Sequence, residues 1–97
     1  MPKLIKIVKS TNPTKKYDAH FKMENGRERK TSFGASGMDD YTKTKDKEQR
    51  KRYRDRHKKD LSTNDPTKAG FLSYYILWGD STSMRENIAS YKRRFNL

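Results

Sequence analysis

Tyr17, Ala19, Phe21 and Met23 alternate with Asp18, His20, Lys22 and Glu24, and the alternation stops at Asn25-Gly26. A period of two marks a strand with one face buried. Asn-Gly between two such runs supplies the positive φ angles of a two-residue type I′ turn. The return run, Arg27 to Phe33, sets Arg29, Thr31 and Phe33 against Glu28, Lys30 and Ser32. A β-hairpin with Asn25-Gly26 at its tip is therefore predicted. Ahead of it, Leu4 to Val8 is a short β-branched run closed by Ser10-Thr11-Asn12-Pro13, residues that favour turns, and it reads as a further strand.

The rest of the chain changes period. Gly34-Ala35-Ser36-Gly37 reads as a strand-to-helix connection, although two glycines among small residues also suit a phosphate cradle. A helix is expected over roughly Lys45 to Lys59. After the loop Leu61 to Asn64, Asp65 as N-cap and Pro66 at the first helical position start a second helix. It carries Ala69, Phe71, Leu72, Tyr75, Ile76 and Trp78, with Gly79 as a left-handed C-cap. Ser83 and Glu86 form a capping box for a third helix, in which Met84, Ile88, Tyr91 and Phe95 share one face. Strands followed by helices point to an α+β fold, a small antiparallel three-stranded sheet with three helices packed on it. A length of 97 residues allows one domain, so residues 1–97 are read as a single small basic unit.

Composition narrows the chemistry. Hydrophobic residues are only 30%, yet they include six Tyr, four Phe and one Trp, enough apolar area for a modest core. The absence of cysteine removes disulfides and thiolate metal sites. The apolar run near the amino end is much shorter than a signal peptide or a membrane span needs, so a soluble, intracellular product that is not secreted and has no membrane partner is expected.

Charge is the functional signal. Lysine plus arginine number 24 against 12 acids, a net charge of +12, more than solubility needs. Between Lys43 and Lys59 the excess is concentrated. At about 100° per residue, Lys47, Lys51, Arg54 and Lys58 fall in one stripe, with Asp46, Gln49, Tyr53, His57 and Asp60 nearly opposite. Such a stripe can follow the phosphates of a duplex. Lys92 and Arg93 on the outer face of the last helix extend the candidate polyanion-binding set. No pairing of Asn or Gln with Arg on a groove-facing helix is evident, so binding is expected to ignore base sequence.

Other side chains attract blander readings. His57 is expected to pack beside Tyr53 and bond a carboxylate, and His20 lies on the polar face of its strand. Asp39, Asp40 and Asp46 could hold magnesium for a nuclease, but neutralising Arg50 and Arg56 or capping the helix is the preferred role. No catalytic residue, metal site or cofactor site is assigned. Of the aromatics, which can stack single-stranded bases, most are needed for the core, and Tyr74 beside a more inward Tyr75 is the best surplus candidate.

Phe33-Gly34-Ala35-Ser36-Gly37, Asp40-Tyr41-Thr42, Asp46, Tyr53 with Arg56-His57, Asp65-Pro66 with Ala69-Gly70, Leu72-Ser73, Ile76-Leu77-Trp78 and Tyr91 to Phe95 form a pattern spanning roughly Tyr17 to Leu97. It resembles an uncharacterised family of small basic proteins encoded by large nucleocytoplasmic DNA viruses of algae and amoebae. The resemblance implies a viral origin and a virion- or genome-associated role, and it assigns no residue a chemical task. The expected function is that of a non-enzymatic, virion-associated structural protein whose basic helix contacts genomic double-stranded DNA or acidic capsid proteins, in the virion and the host-cell interior. The alternatives are a minor capsid or cement protein that binds no nucleic acid, a small metal-dependent nuclease, and an RNA-binding protein.

Overall fold

The computed structural model describes residues 2–97. Three strands, β1 (Lys3–Lys9), β2 (Lys15–Lys22) and β3 (Glu28–Ala35), form an antiparallel sheet in the order β1-β2-β3. Helices follow: α1 (Tyr41–Thr44), α2 (Lys47–His57) running into a 3₁₀ segment (Lys58–Thr63), α3 (Ala69–Leu72) continuing as a π-helical turn (Ser73–Leu77), and α4 (Met84–Phe95). This is the α+β order expected from the alternation of periods. Register sets Leu4 opposite Phe21, Ile7 opposite Ala19 and Tyr17 opposite Phe33. Leu4, Ala19, Phe21 and Phe33 are buried with Phe71, Leu72, Ile76 and Leu77 of α3 and its continuation.

The hairpin has the expected tip and a different turn. Gly26 donates its N–H to the Met23 carbonyl at 2.9 Å, and Met23 to Arg27 at 2.8 Å, enclosing a three-residue loop. Gly26 has φ of +81°, whereas Asn25 is not in the left-handed region. The geometry is a type I turn followed by a left-handed glycine rather than type I′. Asn25 Oδ1 accepts from Arg27 N at 3.0 Å, a local bond that suits this turn.

The outer sheet face also holds an unexpected buried group. Asp18, on the polar side of the β2 alternation, is only 2% exposed. Ser32 Oγ and Ser10 Oγ donate to its Oδ1 at 2.6 and 2.7 Å, and these hydroxyls hold its carboxyl below the usual carboxylate range. The β1–β2 connection is thereby tied down over the sheet. At the edge, register shifts between Leu4 and Lys6, leaving Ile5 47% exposed. A bulge and flanking lysines make this edge a poor template for further strand pairing.

Helix boundaries show where tertiary contacts override local signals. Asp65 does not cap a helix beginning at Pro66. Its Oδ1 accepts from Thr67 N at 2.9 Å and from Thr67 Oγ1 at 2.6 Å, and its carbonyl accepts from Lys68 N, forming a turn. Thr31 Oγ1 donates to the Thr67 carbonyl at 2.8 Å and Tyr91 Oη to the Pro66 carbonyl at 2.5 Å. These carbonyls, held by the sheet and by α4, are taken from any helical ladder, so α3 starts at Ala69.

At the other end, Trp78 N donates to the Ser73 carbonyl at 3.0 Å, five residues back. The wider turn changes the phase of the helix. Tyr74 is therefore buried at 7% exposure while Tyr75 is half-buried, the reverse of the order expected from sequence. Gly79 is not a left-handed C-cap either, since its φ is not positive. It is required because a Cβ there would sit 2.2 Å from the Tyr75 carbonyl oxygen.

α4 begins as expected at Ser83, whose Oγ accepts from Glu86 N at 3.3 Å. The capping box is only half closed, because the Glu86 carboxylate takes Ser81 Oγ at 2.7 Å and Ser83 N donates to that hydroxyl instead. Tyr91 is buried, and Met84, Ile88 and Phe95 pack against the core. Asn87 is buried among them at 3% exposure. Its Nδ2 donates to the carbonyls of Ile76 at 2.9 Å and Ser81 at 2.7 Å, while Oδ1 accepts from Ser81 N at 3.0 Å. Among the described residues, no helix is long and apolar enough to cross a membrane.

Candidate nucleic-acid interface

α2 is a helix because its ends are specified. Lys45 in the left-handed region, φ 59°, separates it from α1, and Asp46 Oδ1 accepts from Glu48 N at 3.0 Å and Gln49 N at 3.2 Å as an N-cap. None of its residues is fully buried. Its attachment is instead polar and aromatic. Arg50 Nε donates to the Gly79 carbonyl at 2.6 Å and Arg54 Nη1 to the Trp78 carbonyl at 2.8 Å. Two guanidinium groups thus meet carbonyls at the C-terminal end of α3 and its π turn, where the helix dipole favours cations. Arg54 also lies over the Tyr74 ring, 4.2 Å from its centroid. Tyr53 completes the attachment, stacked between Trp78 at 4.3 Å and His57 at 4.2 Å.

The predicted cationic stripe is therefore divided. Arg54, with a side chain 21% exposed, faces the protein and holds α2 in place. Lys47, Lys51 and Lys58 are exposed. The ion pairs among the described residues draw on Lys16, Arg50, Arg54 and His57, leaving those three lysines free of carboxylates.

On α4, Lys92, Arg93 and Arg94 are all exposed. Arg94 lies 4.9 Å from the Tyr75 centroid, and Arg54 approaches the same ring at 5.9 Å. Arg94 is thus the α4 cation brought beside α2. Lys92 lies about 160° around the helix from it, and Arg93 points between these directions. The sequence had no signal for choosing among the three, since the choice depends on where Tyr75 lies.

The acidic candidates go to separate partners. Asp40, 4% exposed, accepts from Lys16 Nζ and Thr42 Oγ1, each at 2.5 Å. Asp46 is the α2 cap, and Asp39 is exposed. His57 Nδ1 lies 3.1 Å from Asp60 Oδ2, a packed and carboxylate-bonded arrangement like the one expected. His20 is paired across the sheet with Lys6 and Lys30. Among the described residues, no group of three or more His, Cys, Asp or Glu could hold a metal ion.

One feature had no signal in the sequence. A cleft of about 580 Å³ opens between the end of the hairpin, α2 and α3. Phe33, Leu77 and Trp78 supply apolar walls, and Gln49, Arg56 and His57 enter from α2. Gly34 and Gly70 let its walls approach closely, since a Cβ at Gly34 would stand 2.7 Å from Leu77 Cδ1 and one at Gly70 3.1 Å from Asp60 Cβ.

A family-level comparison matches residues 5–57 to a family of unknown function (DUF5754), from β1 through the end of α2. The chain belongs to this family. The matched span joins the sheet to the basic helix and includes Lys47, Lys51 and Arg54. No curated protein matches the chain, and no solved structure does.

Proposed function

We propose that this member of the family is a non-enzymatic protein that binds nucleic acid, double-stranded DNA above all, without sequence specificity. The observation carrying this reading is the division of labour on α2. Arg50, Tyr53 and Arg54 fasten one side to the core, and Lys47 and Lys51, with Lys58 at the start of the 3₁₀ continuation, stand exposed and unpaired on the adjoining side. A row of lysines on an anchored helix can neutralise successive phosphates, and Arg94 adds a cation from α4. Lys92 and Arg93 contribute to the general basic field rather than to the row. In the viral setting that the sequence resemblance implies, the polyanion is the genome and the protein is virion-associated.

Three lysines engaging three phosphates contribute about 2.7 to the magnitude of the slope of log affinity against log salt, at about 0.9 per contact. The test is a salt titration of duplex binding for the wild type and the Lys47→Gln, Lys51→Gln, Lys58→Gln triple variant, with circular dichroism as the folding control. The reading expects most of that slope to vanish with the fold intact. Equal slopes refute this face as the binding site. No duplex binding by the wild type at low salt refutes the reading and favours acidic capsid proteins as partners.

A further inference from the structure

The large cleft does not stand alone. A second hollow of about 610 Å³ lies beside it, and the two share Lys15, Lys16 and Gly37 in their walls. Their linings differ in chemistry. The first has apolar walls from Phe33, Leu77 and Trp78, with hydrogen-bonding groups at Gln49, Ser73 and His57. The second gathers Lys9, Lys15, Lys16 and Lys43 around Ser36 and Gly37. Its single acid is Asp40, which is already paired with Lys16. Lys9, Lys15 and Lys43 are exposed and have no carboxylate partner among the described residues.

From this juxtaposition we infer that the paired hollows form a binding site for a nucleotide unit, with the base in the apolar cleft and the phosphate among Lys9, Lys15 and Lys43. A ligand site is typically about 300–1,000 Å³, and the first cleft has that volume, its apolar floor rimmed by the charged Lys15, Lys16, Asp39, Arg56 and Asp60. Gln49 Oε1 accepts from Thr44 Oγ1 at 2.9 Å, which orients the amide and leaves its NH₂ to donate to a base edge. His57 Nδ1 is held by Asp60, leaving Nε2 available. Tyr53 is not the stacking surface, since both its faces are occupied by Trp78 and His57. Phe33 and Leu77, 0% and 2% exposed, close the floor of the cleft, and the base lies above them between Ala69-Gly70 and Met38, which is 63% exposed at the mouth. Gly37, with φ of +81° and open space where a Cβ would stand, leaves the passage between the hollows unobstructed. Gln49 and Arg56 are on the other side of α2 from Lys47 and Lys51, about 140–180° around the helix. The site is thus independent of the duplex-binding face.

The test uses the full chain, labelled with ¹⁵N, in NMR titrations with AMP, adenosine, inorganic phosphate and a short oligothymidylate. AMP should shift Gly70 and the Trp78 indole in the cleft together with Ser36 and Lys43 in the lysine hollow. Adenosine should shift the first pair alone and phosphate the second pair alone. Lys9→Gln with Lys43→Gln, which line the lysine hollow and not the cleft, should weaken AMP roughly tenfold and leave adenosine unchanged. Tighter binding of oligothymidylate at the same residues identifies the nucleotide as part of a single strand. AMP shifts without oligothymidylate shifts identify a free nucleotide. The proposal is overturned if AMP at millimolar concentration leaves Gly70 and the indole unmoved, or perturbs only the residues that phosphate perturbs. The Lys47, Lys51, Lys58 triple variant should keep all AMP shifts, so the two readings can fail separately.

Discussion

Arg54 separates the two roles a cation on α2 can have. Arg54→Gln removes a charge-assisted bond to the Trp78 carbonyl at 2.8 Å, worth about 1.5–3 kcal/mol. It also removes the guanidinium from the face of Tyr74, a ring only 7% exposed, worth about 0.5–2 kcal/mol. Freed side-chain entropy returns about 1 kcal/mol. The net loss is about 1–4 kcal/mol, a large fraction of the roughly 5–15 kcal/mol that holds a domain of this size. For 97 residues a loss near 3 kcal/mol lowers Tm by about 12–24 °C. Arg54→Lys keeps the charge but loses the planar stack and should recover less than half of the loss. Thermal and urea unfolding measure stability, and duplex binding is followed against salt in parallel. Both variants should show lower stability with a nearly unchanged salt slope. If Arg54→Gln leaves stability within about 0.5 kcal/mol and reduces the slope by about 0.9, the side chain is a phosphate contact and the anchoring argument is wrong.

Two further outcomes test the core. Asn87→Ala leaves the buried Ile76 carbonyl without its donor and opens the Ser81 pair, so urea unfolding should show a loss of about 2–4 kcal/mol, with Asn87→Asp at least as damaging; a loss under 1 kcal/mol would mean that water replaces the amide. Burial raises the pKa of the Tyr91 phenol, and also that of Tyr53, above the ordinary tyrosine value near 10. Above that pH the unfolded chain gives up protons that the folded chain retains, so stability is fully present below about pH 10 and falls as pH rises further. Tyr91→Phe should be less stable near neutrality, through loss of the bond to Pro66, yet show a shallower alkaline decline. Equal alkaline slopes in urea unfolding would exclude Tyr91 as the group responsible.

Features that depend on local pattern were legible before any packing was considered. The alternation around Ala19 and Phe21 placed the sheet, and Asn25-Gly26 its reversal, because side-chain direction in a strand follows position alone. Asp46 and Ser83 were suited to cap helices through their own short side chains, and net charge required no folding to be counted. Tertiary structure decided the rest. Thr31 and Tyr91 captured carbonyls at Thr67 and Pro66 and delayed α3, and the π turn exchanged the environments of Tyr74 and Tyr75. Arg54 lay in the same helical stripe as Lys51, but only the arrival of the Trp78 carbonyl and Tyr74 made one an anchor and left the other exposed. The cleft was likewise beyond sequence periodicity, since its walls come from a hairpin end and two helices far apart along the chain. A helix repeat specifies the direction in which a side chain leaves its own axis, and packing alone specifies what it meets there.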